Sequence, residues 1–264
     1  MVCSVGVIVP AYRPDTERLL AYVRDLLSVC DPDVVRIELD APRSDTLDRL
    51  TDLPERVELN AVPSRRGKGA AITAGFEHLD TDVLAFADAD GSTPASSVAD
   101  VVAPVVDGEA DLSVGSRRHP DATVASHQTY ARRRLGDGFA WLARHLLDVG
   151  LYDYQCGAKA LTASAWREVR RHLYEPGFAW DIELVAVAGA LDQRIVEIPV
   201  VWEDQPGSTV SPVQTSLRLA RGLLVSRHRA KVLRKDRLHS LFDARRGGEP
   251  SLVERLAVAE VTDE

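Results

Sequence analysis

The stretch Val83-Leu84-Ala85-Phe86-Ala87-Asp88-Ala89-Asp90-Gly91-Ser92-Thr93-Pro94 decides the fold. Five apolar residues run into two acids and a Gly-Ser-Thr-Pro turn, the pattern of a buried parallel strand ending in a loop. Residues i and i+2 of an extended backbone project to the same side, so the carboxylates of Asp88 and Asp90 can converge on one hard cation at the strand's carboxyl end. Open α/β sheets bind ligands there. A cation with so few protein ligands fills its remaining positions with water and substrate phosphates, which makes Mg²⁺ or Mn²⁺ the expected cofactor and a nucleotide diphosphate the expected ligand. Taken alone the motif equally describes a solvated turn, and its neighbours must choose between the two.

Those neighbours alternate. Val5-Gly6-Val7-Ile8-Val9-Pro10 reads as a first central strand, and Ala11-Tyr12-Arg13-Pro14-Asp15 as a turn. Asp15 or Thr16 then caps a helix with apolar positions Leu19, Leu20, Val23, Leu26 and Leu27. A second strand over 34–39 ends at Asp40, and a third over 57–62 leads into Arg65-Arg66-Gly67-Lys68-Gly69 and a helix of small residues. This alternation implies right-handed crossovers and a mainly parallel sheet, an α/β fold. Further along, strands are expected at 110–116 and 195–202, helices at 135–147, 162–173 and 182–191, and a Gly/Ser/Pro-rich loop at 203–212. Residues 243–264 carry little pattern and are expected to form a frayed tail.

The chain has 264 residues, 45% of them apolar, enough for one large core. No apolar run is long enough to span a membrane and the start lacks a signal-like segment, so a cytoplasmic protein is expected. Cys3, Cys30 and Cys156 fit neither a zinc spacing nor a disulfide framework. Forty acidic against 32 basic residues give a net charge of −8, which argues against nucleic acid as a partner. The basic residues cluster, however: Arg218, Arg221, Arg227, Arg229, Lys231, Arg234, Lys235 and Arg237 face a single intervening acid, Asp236. Lysine is scarce, with Lys68, Lys159, Lys231 and Lys235 as the only examples, and the first two sit inside motifs.

Those motifs come in a fixed order: Val9-Pro10-Ala11-Tyr12, Gly67-Lys68-Gly69-Ala70-Ala71, Asp88-Ala89-Asp90, Gly115-Ser116-Arg117, Gln155-Cys156-Gly157-Ala158-Lys159 and Trp180-Asp181-Ile182-Glu183. In that order they resemble family 2 glycosyltransferases with the GT-A fold, and within them the polyprenyl or dolichyl phosphate glycosyltransferases, the glucosyl branch above all. The resemblance spans about residues 4–240 and implies a division into a catalytic domain (1–215), a basic amphipathic helical segment (216–242) and a tail (243–264). It implies metal-dependent, inverting transfer of a hexose, glucose favoured, from a nucleotide sugar, UDP favoured over GDP, to a lipid phosphate. Asp88 and Asp90 would hold the metal on the donor diphosphate; Pro10, Ala11 and Tyr12 would pack on base and ribose, Asp40 would accept a bond from one of them, and Lys68 would meet the donor phosphates. The chain departs from the family in one place. Where Asp-Asp-Gly-Ser is usual after the second strand, it has Asp40-Ala41-Pro42-Arg43-Ser44, which leaves the base undecided.

A lipid phosphate is already anionic near neutral pH, so it needs cations to hold it more than a base to activate it. Arg117 and the run Arg132-Arg133-Arg134 are the candidates for that task, while Lys159 either reaches the phosphates or pairs with a neighbouring acid. Asp153 matches the carboxylate that the resemblance implies as base or acceptor organiser, and Asp181 is a second acid that orders the sugar or an arginine. Leu217, Leu219, Leu223, Leu224 and Val225 followed by the basic cluster suit an interfacial helix, placing the enzyme on the cytoplasmic membrane face. The alternatives are the same fold acting on a soluble sugar or a phosphorylated small molecule, which would show no lipid dependence, and a module that binds nucleotide sugars without turnover.

Overall fold

The computed structural model describes residues 3–125, 130–203, 212–236, 239 and 249–262. Val5–Tyr12 (β1), Val34–Asp40 (β2), Val57–Val62 (β3), Val83–Ala87 (β4), Leu112–Ser116 (β5), Ala158–Thr162 (β7) and Ile195–Pro199 (β8) make one seven-stranded sheet, ordered β3-β2-β1-β4-β7-β5-β8. Thr123–Val124 (β6) and Val201–Trp202 (β9) form a small second sheet. The crossovers run through helices α1 (Thr16–Val29), α2 (Ser44–Asp48), α3 (Lys68–His78) and α4 (Ala95–Val106). Beyond these lie α5 (Tyr130–Leu146), α6 (Ala163–Val169), α7 (Trp180–Ala190), α8 (Pro212–Leu233) and α9 (Leu252–Thr262).

The alternation read from the sequence is thus realised, and its local signals work as expected. Asp15 caps α1 by accepting from the Arg18 amide at 3.1 Å. Two apolar layers sandwich the sheet. Leu19, Val23 and Leu26 of α1 and Val98, Val101 and Val105 of α4 cover one face, while Ile72 and Phe76 of α3, the whole of α7 and Leu223 of α8 cover the other. α7 is buried all round, which explains why its sequence is apolar without a periodic face. The small residues of α3 let it lie flat on the sheet: a Cβ at Gly75 would come within 2.7 Å of Ile8.

The sheet is mainly parallel, as expected, with β7 entering antiparallel between β4 and β5 and bringing the Gln155–Lys159 motif into it. Two expectations are corrected. The strand expected over 195–202 breaks at Val200: β8 pairs with β5, while β9 leaves to pair with β6. The patternless tail contains α9, whose Leu252 is buried in the core and whose first amide donates to the Leu173 carbonyl at 2.7 Å. Most of the basic segment lies on α8. α8 packs along α7, and its cations are engaged within the chain: Arg227 with the Leu146 carbonyl, Arg229 with Glu183, and Lys231 and Arg234 with Asp148. Arg218, Arg221 and Lys235 remain exposed, and Arg237 lies outside the described residues.

Candidate active site

The carboxyl ends of β1, β2, β4 and β5 and the start of the antiparallel β7 meet at one edge of the sheet, and the candidate residues gather there. Asp88 follows β4 directly. Its amide donates to the Gly157 carbonyl at 2.9 Å, and a Cβ at Gly157 would collide with its carboxylate, so the glycine of the β7 motif makes room for that acid. Asp90 is exposed in the turn and accepts from the Ser92 amide at 2.9 Å, while Gly91 takes a positive φ of 69° that glycine adopts freely. Both donors are hard oxygens. Among the described residues no three His, Cys, Asp or Glu gather into a metal cage. Hard oxygens of this kind suit a cation that completes its shell with water and phosphate.

Behind the pair runs a chain of alternating charges. Lys68 Nζ donates to Asp88 at 2.8 Å and to Asp181 at 3.0 Å; the other oxygen of Asp181 accepts from Lys159 at 2.8 Å. Lys159 also donates to the Cys156 carbonyl at 2.9 Å and is fully buried. Both ammonium groups lie over the Phe86 ring, at 5.1 and 5.6 Å. Burial disfavours the charged form of Lys68, but Asp181 and Asp88 more than offset this and lift it above the ordinary lysine range. Burial raises Asp181 less than Lys159 and Lys68 lower it, so it stays ionised. Asp88 moves the other way: desolvation, with Asp181 and Asp90 nearby, raises it against the pull of Lys68. Lys159 thus meets an acid, not an exposed phosphate position. Lys68, at the start of α3, stands directly beside Asp88.

Arg117 leaves β5 beside this chain. Its guanidinium grips Asp153 with both arms, Nε at 2.6 Å and Nη2 at 3.0 Å, and its own amide adds a bond at 3.2 Å. Arg118 stands 3.7 Å from the same carboxylate. Burial would raise Asp153, yet the charge and hydrogen bonds of Arg117 hold it far below the usual carboxylate range. Such a group is a poor base at neutral pH. Sequence reading missed what fixes it: Glu197 on β8 accepts the amides of Tyr152 and Asp153, each at 2.8 Å, from more than 40 positions away with no local signal.

Asp40 ends β2 beside the Arg65–Gly69 loop. It is buried, and accepts from the amides of Arg66 and Gly67 at 2.8 and 2.9 Å and from Arg66 Nε at 2.8 Å, so it ties down the loop that presents Lys68. Glu38, two residues earlier on β2 and also buried, takes Arg66 Nη2 at 2.8 Å and Asn60 at 2.7 Å. The i, i+2 spacing of these two acids was the available signal. Pro10 and Ala11 lie within β1, and Tyr12 at its end is 39% exposed with the Arg65 guanidinium 4.1 Å above its ring. Arg132, Arg133 and Arg134 lie on α5, and their side chains fall outside the described residues.

Comparison with known proteins accords with this edge. The profile of Glycosyl transferase family 2 matches residues 6–155, which carry β1 to β6 and the Asp88 turn. The chain belongs to glycosyl transferase family 2. Relatives in that family include Glycosyltransferase AglD of Haloferax volcanii, 28% identical over 84% of this chain and 36% of that protein. The mouse dolichyl-phosphate beta-glucosyltransferase is 30% identical over 66% of the chain and 56% of its own length. The chain thus spans about a third of the first relative and little over half of the second. Glucosyl-3-phosphoglycerate synthase from Mycobacterium tuberculosis, solved with Mn²⁺, uridine-diphosphate-glucose and phosphoglyceric acid, superposes with a TM-score of 0.63 at 16% identity, over 85% of this chain and 80% of that one. The likeness establishes the GT-A fold.

Proposed function

We propose that this family 2 chain transfers a hexose, glucose in the first instance, from a nucleotide diphosphate sugar to a polyprenyl or dolichyl phosphate, with inversion. The observation that carries this reading is the Arg117–Asp153 pair beside Asp88. Asp153 and Asp181 are both held ionised by cations, which suits an acceptor that arrives already deprotonated. An acceptor hydroxyl would instead call for a carboxylate or histidine of near-neutral pKa. In this reading Asp88 and Asp90 hold Mg²⁺ or Mn²⁺, which when bound neutralises charge on the departing diphosphate. Lys68 and the amides at the start of α3 face the same phosphates. Arg117, kept in one orientation by Asp153, presents its guanidinium to the acceptor phosphate, one oxygen of which attacks the anomeric carbon from the side opposite the leaving group. Tyr12 and Arg65 offer a stacking surface for the base, UDP favoured over GDP.

The relatives' names support a lipid acceptor, and the surface agrees. Trp141 and Leu142 on α5 and Leu224 on α8 are 60%, 37% and 58% exposed, and Arg218 and Arg221 are exposed on the same α8. Exposed apolar and basic side chains of this kind suit contact with an anionic membrane surface, here the cytoplasmic leaflet. No helix among the described residues is long and apolar enough to cross a membrane. Since much of the α8 charge is spent internally, a phosphorylated small molecule is the competing acceptor.

One assay separates them. Purified protein is mixed with labelled UDP- and GDP-sugars, Mn²⁺ or Mg²⁺, and either a short polyprenyl phosphate or soluble phosphorylated acceptors. The reading predicts an acid-labile lipid product that falls at least 100-fold in Asp90→Asn, the loss expected for an electrostatic contact to the leaving group. Label in water-soluble product alone overturns the lipid assignment.

A further inference from the structure

We propose that Lys68 and the catalytic cation compete for Asp88, so that a divalent ion enters this site together with a nucleoside diphosphate and only poorly by itself. The inference rests on the reading that Asp88 and Asp90 hold the cation. Lys68 is a built-in counter-ion to that site: its Nζ lies 2.8 Å from Asp88 Oδ1, its side chain is 10% exposed, and the Phe86 ring closes one side of it at 5.1 Å. Gly157, which would clash with the acid if it bore a side chain, leaves the Asp88 carboxylate room in this corner. The Lys68 ammonium also meets Asp181 Oδ2 at 3.0 Å, while Asp181 Oδ1 is taken by the buried Lys159.

Charge accounting then sets the order of events. Asp88, Asp90 and Asp181 against Lys68 and Lys159 leave the cluster one negative charge, too little to welcome a divalent ion that must share a carboxylate with an ammonium. A diphosphate changes both terms. It brings oxygens to the metal, and it gives Lys68 a new acceptor, so the lysine can leave Asp88 without remaining an unpaired buried cation. Metal and nucleotide therefore assist each other beyond their direct contact, and Lys68 sets the size of that coupling. Lys68 is accordingly a positioning residue for the metal as well as a phosphate contact.

The test measures Mn²⁺ binding from the electron paramagnetic resonance of the free ion, with and without uridine diphosphate, in wild type, Lys68→Gln and Lys68→Arg. Competition predicts that Lys68→Gln binds Mn²⁺ alone at least tenfold more tightly than wild type and that uridine diphosphate then improves Mn²⁺ affinity at least tenfold less. Lys68→Arg, which keeps the charge, stays near wild type. A Lys68→Gln protein that binds Mn²⁺ alone no better than wild type overturns the proposal. Failure of wild type to bind Mn²⁺ even with uridine diphosphate would instead overturn the reading of Asp88 and Asp90 on which it rests. A second measurement needs no neutral variant: with only four lysines, ¹⁵Nζ-lysine NMR resolves Lys68, assigned by its loss in Lys68→Arg. Mg²⁺ with uridine diphosphate should shift that signal, and Mg²⁺ alone should leave it in place. A signal unmoved by the pair, or moved equally by Mg²⁺ alone, contradicts the competition.

Discussion

At the scale of single residues the site is a set of ionised groups whose partners fix their charge. Asp153 is the clearest case, because its folded proton affinity is lowered while that of the unfolded chain is ordinary. As pH falls, the unfolded state takes up this proton first. The stabilisation is therefore complete above about pH 5 and is lost as pH drops through about 4 toward the lowered folded value. Asp181 has the same sign, while Asp88 and Glu183, raised mainly by burial, oppose it. Urea midpoints measured between pH 7 and pH 3 should fall steeply for wild type and distinctly less for Asp153→Asn, whose baseline at pH 7 is lower by about 3 kcal/mol for loss of one member of a buried pair. Parallel acid limbs in the two proteins would show that the pair contributes no linkage. Asp88 and Asp90 were legible because chemistry and period coincide in five adjacent letters. The partners of Asp40 and Asp153 were not: Arg66 and Glu197 reach them across 26 and 44 positions, and sequence gives charge without saying what it meets.

Elements supply the positions. α3 begins where the loop over 174–178 presses on it: Gly67 takes a φ of 104° with a would-be Cβ 2.5 Å from the Pro176 carbonyl, and a Cβ at Gly69 would stand 2.5 Å from that of Trp180. Backbone and a buried indole give little there. Gly69→Ala should cost about 1–3 kcal/mol by overpacking and, by moving Lys68 and the turn into α7, weaken nucleotide binding as well; chemical denaturation and nucleotide titration on the same sample check both. An alanine variant as stable and as tight as wild type would remove the account of that close approach. The βα alternation was readable because β1 and β4 are buried apolar runs and each ends in turn chemistry. β7 was not readable, since its five residues carry Lys159 and follow a glycine, and only its place between β4 and β5 makes it a strand. α9 hid behind a Gly- and Arg-rich approach, its short apolar face showing its purpose once Leu252 is seen against the core.

On the scale of the whole molecule, chemistry occupies one edge of the sheet while α5 and α8 carry the exposed Trp141, Leu142 and Leu224. If this surface seats the protein on a membrane, Trp141→Ser with Leu224→Ser should lower co-sedimentation with anionic vesicles at least tenfold, given roughly 1.5 kcal/mol for each large apolar side chain buried. Rising salt should weaken the remaining attraction through Arg218, Arg221 and Lys235. Unchanged sedimentation would detach the membrane from the account and favour a soluble acceptor. The claim beneath all of this is that Asp88 and Asp90 carry a cation that holds an activated sugar. Calorimetric titration of UDP-glucose into wild type and Asp90→Asn, with Mn²⁺ and with chelator, tests it most directly. Binding that needs Mn²⁺ and vanishes in Asp90→Asn is the result predicted; equal binding in all four titrations would contradict it.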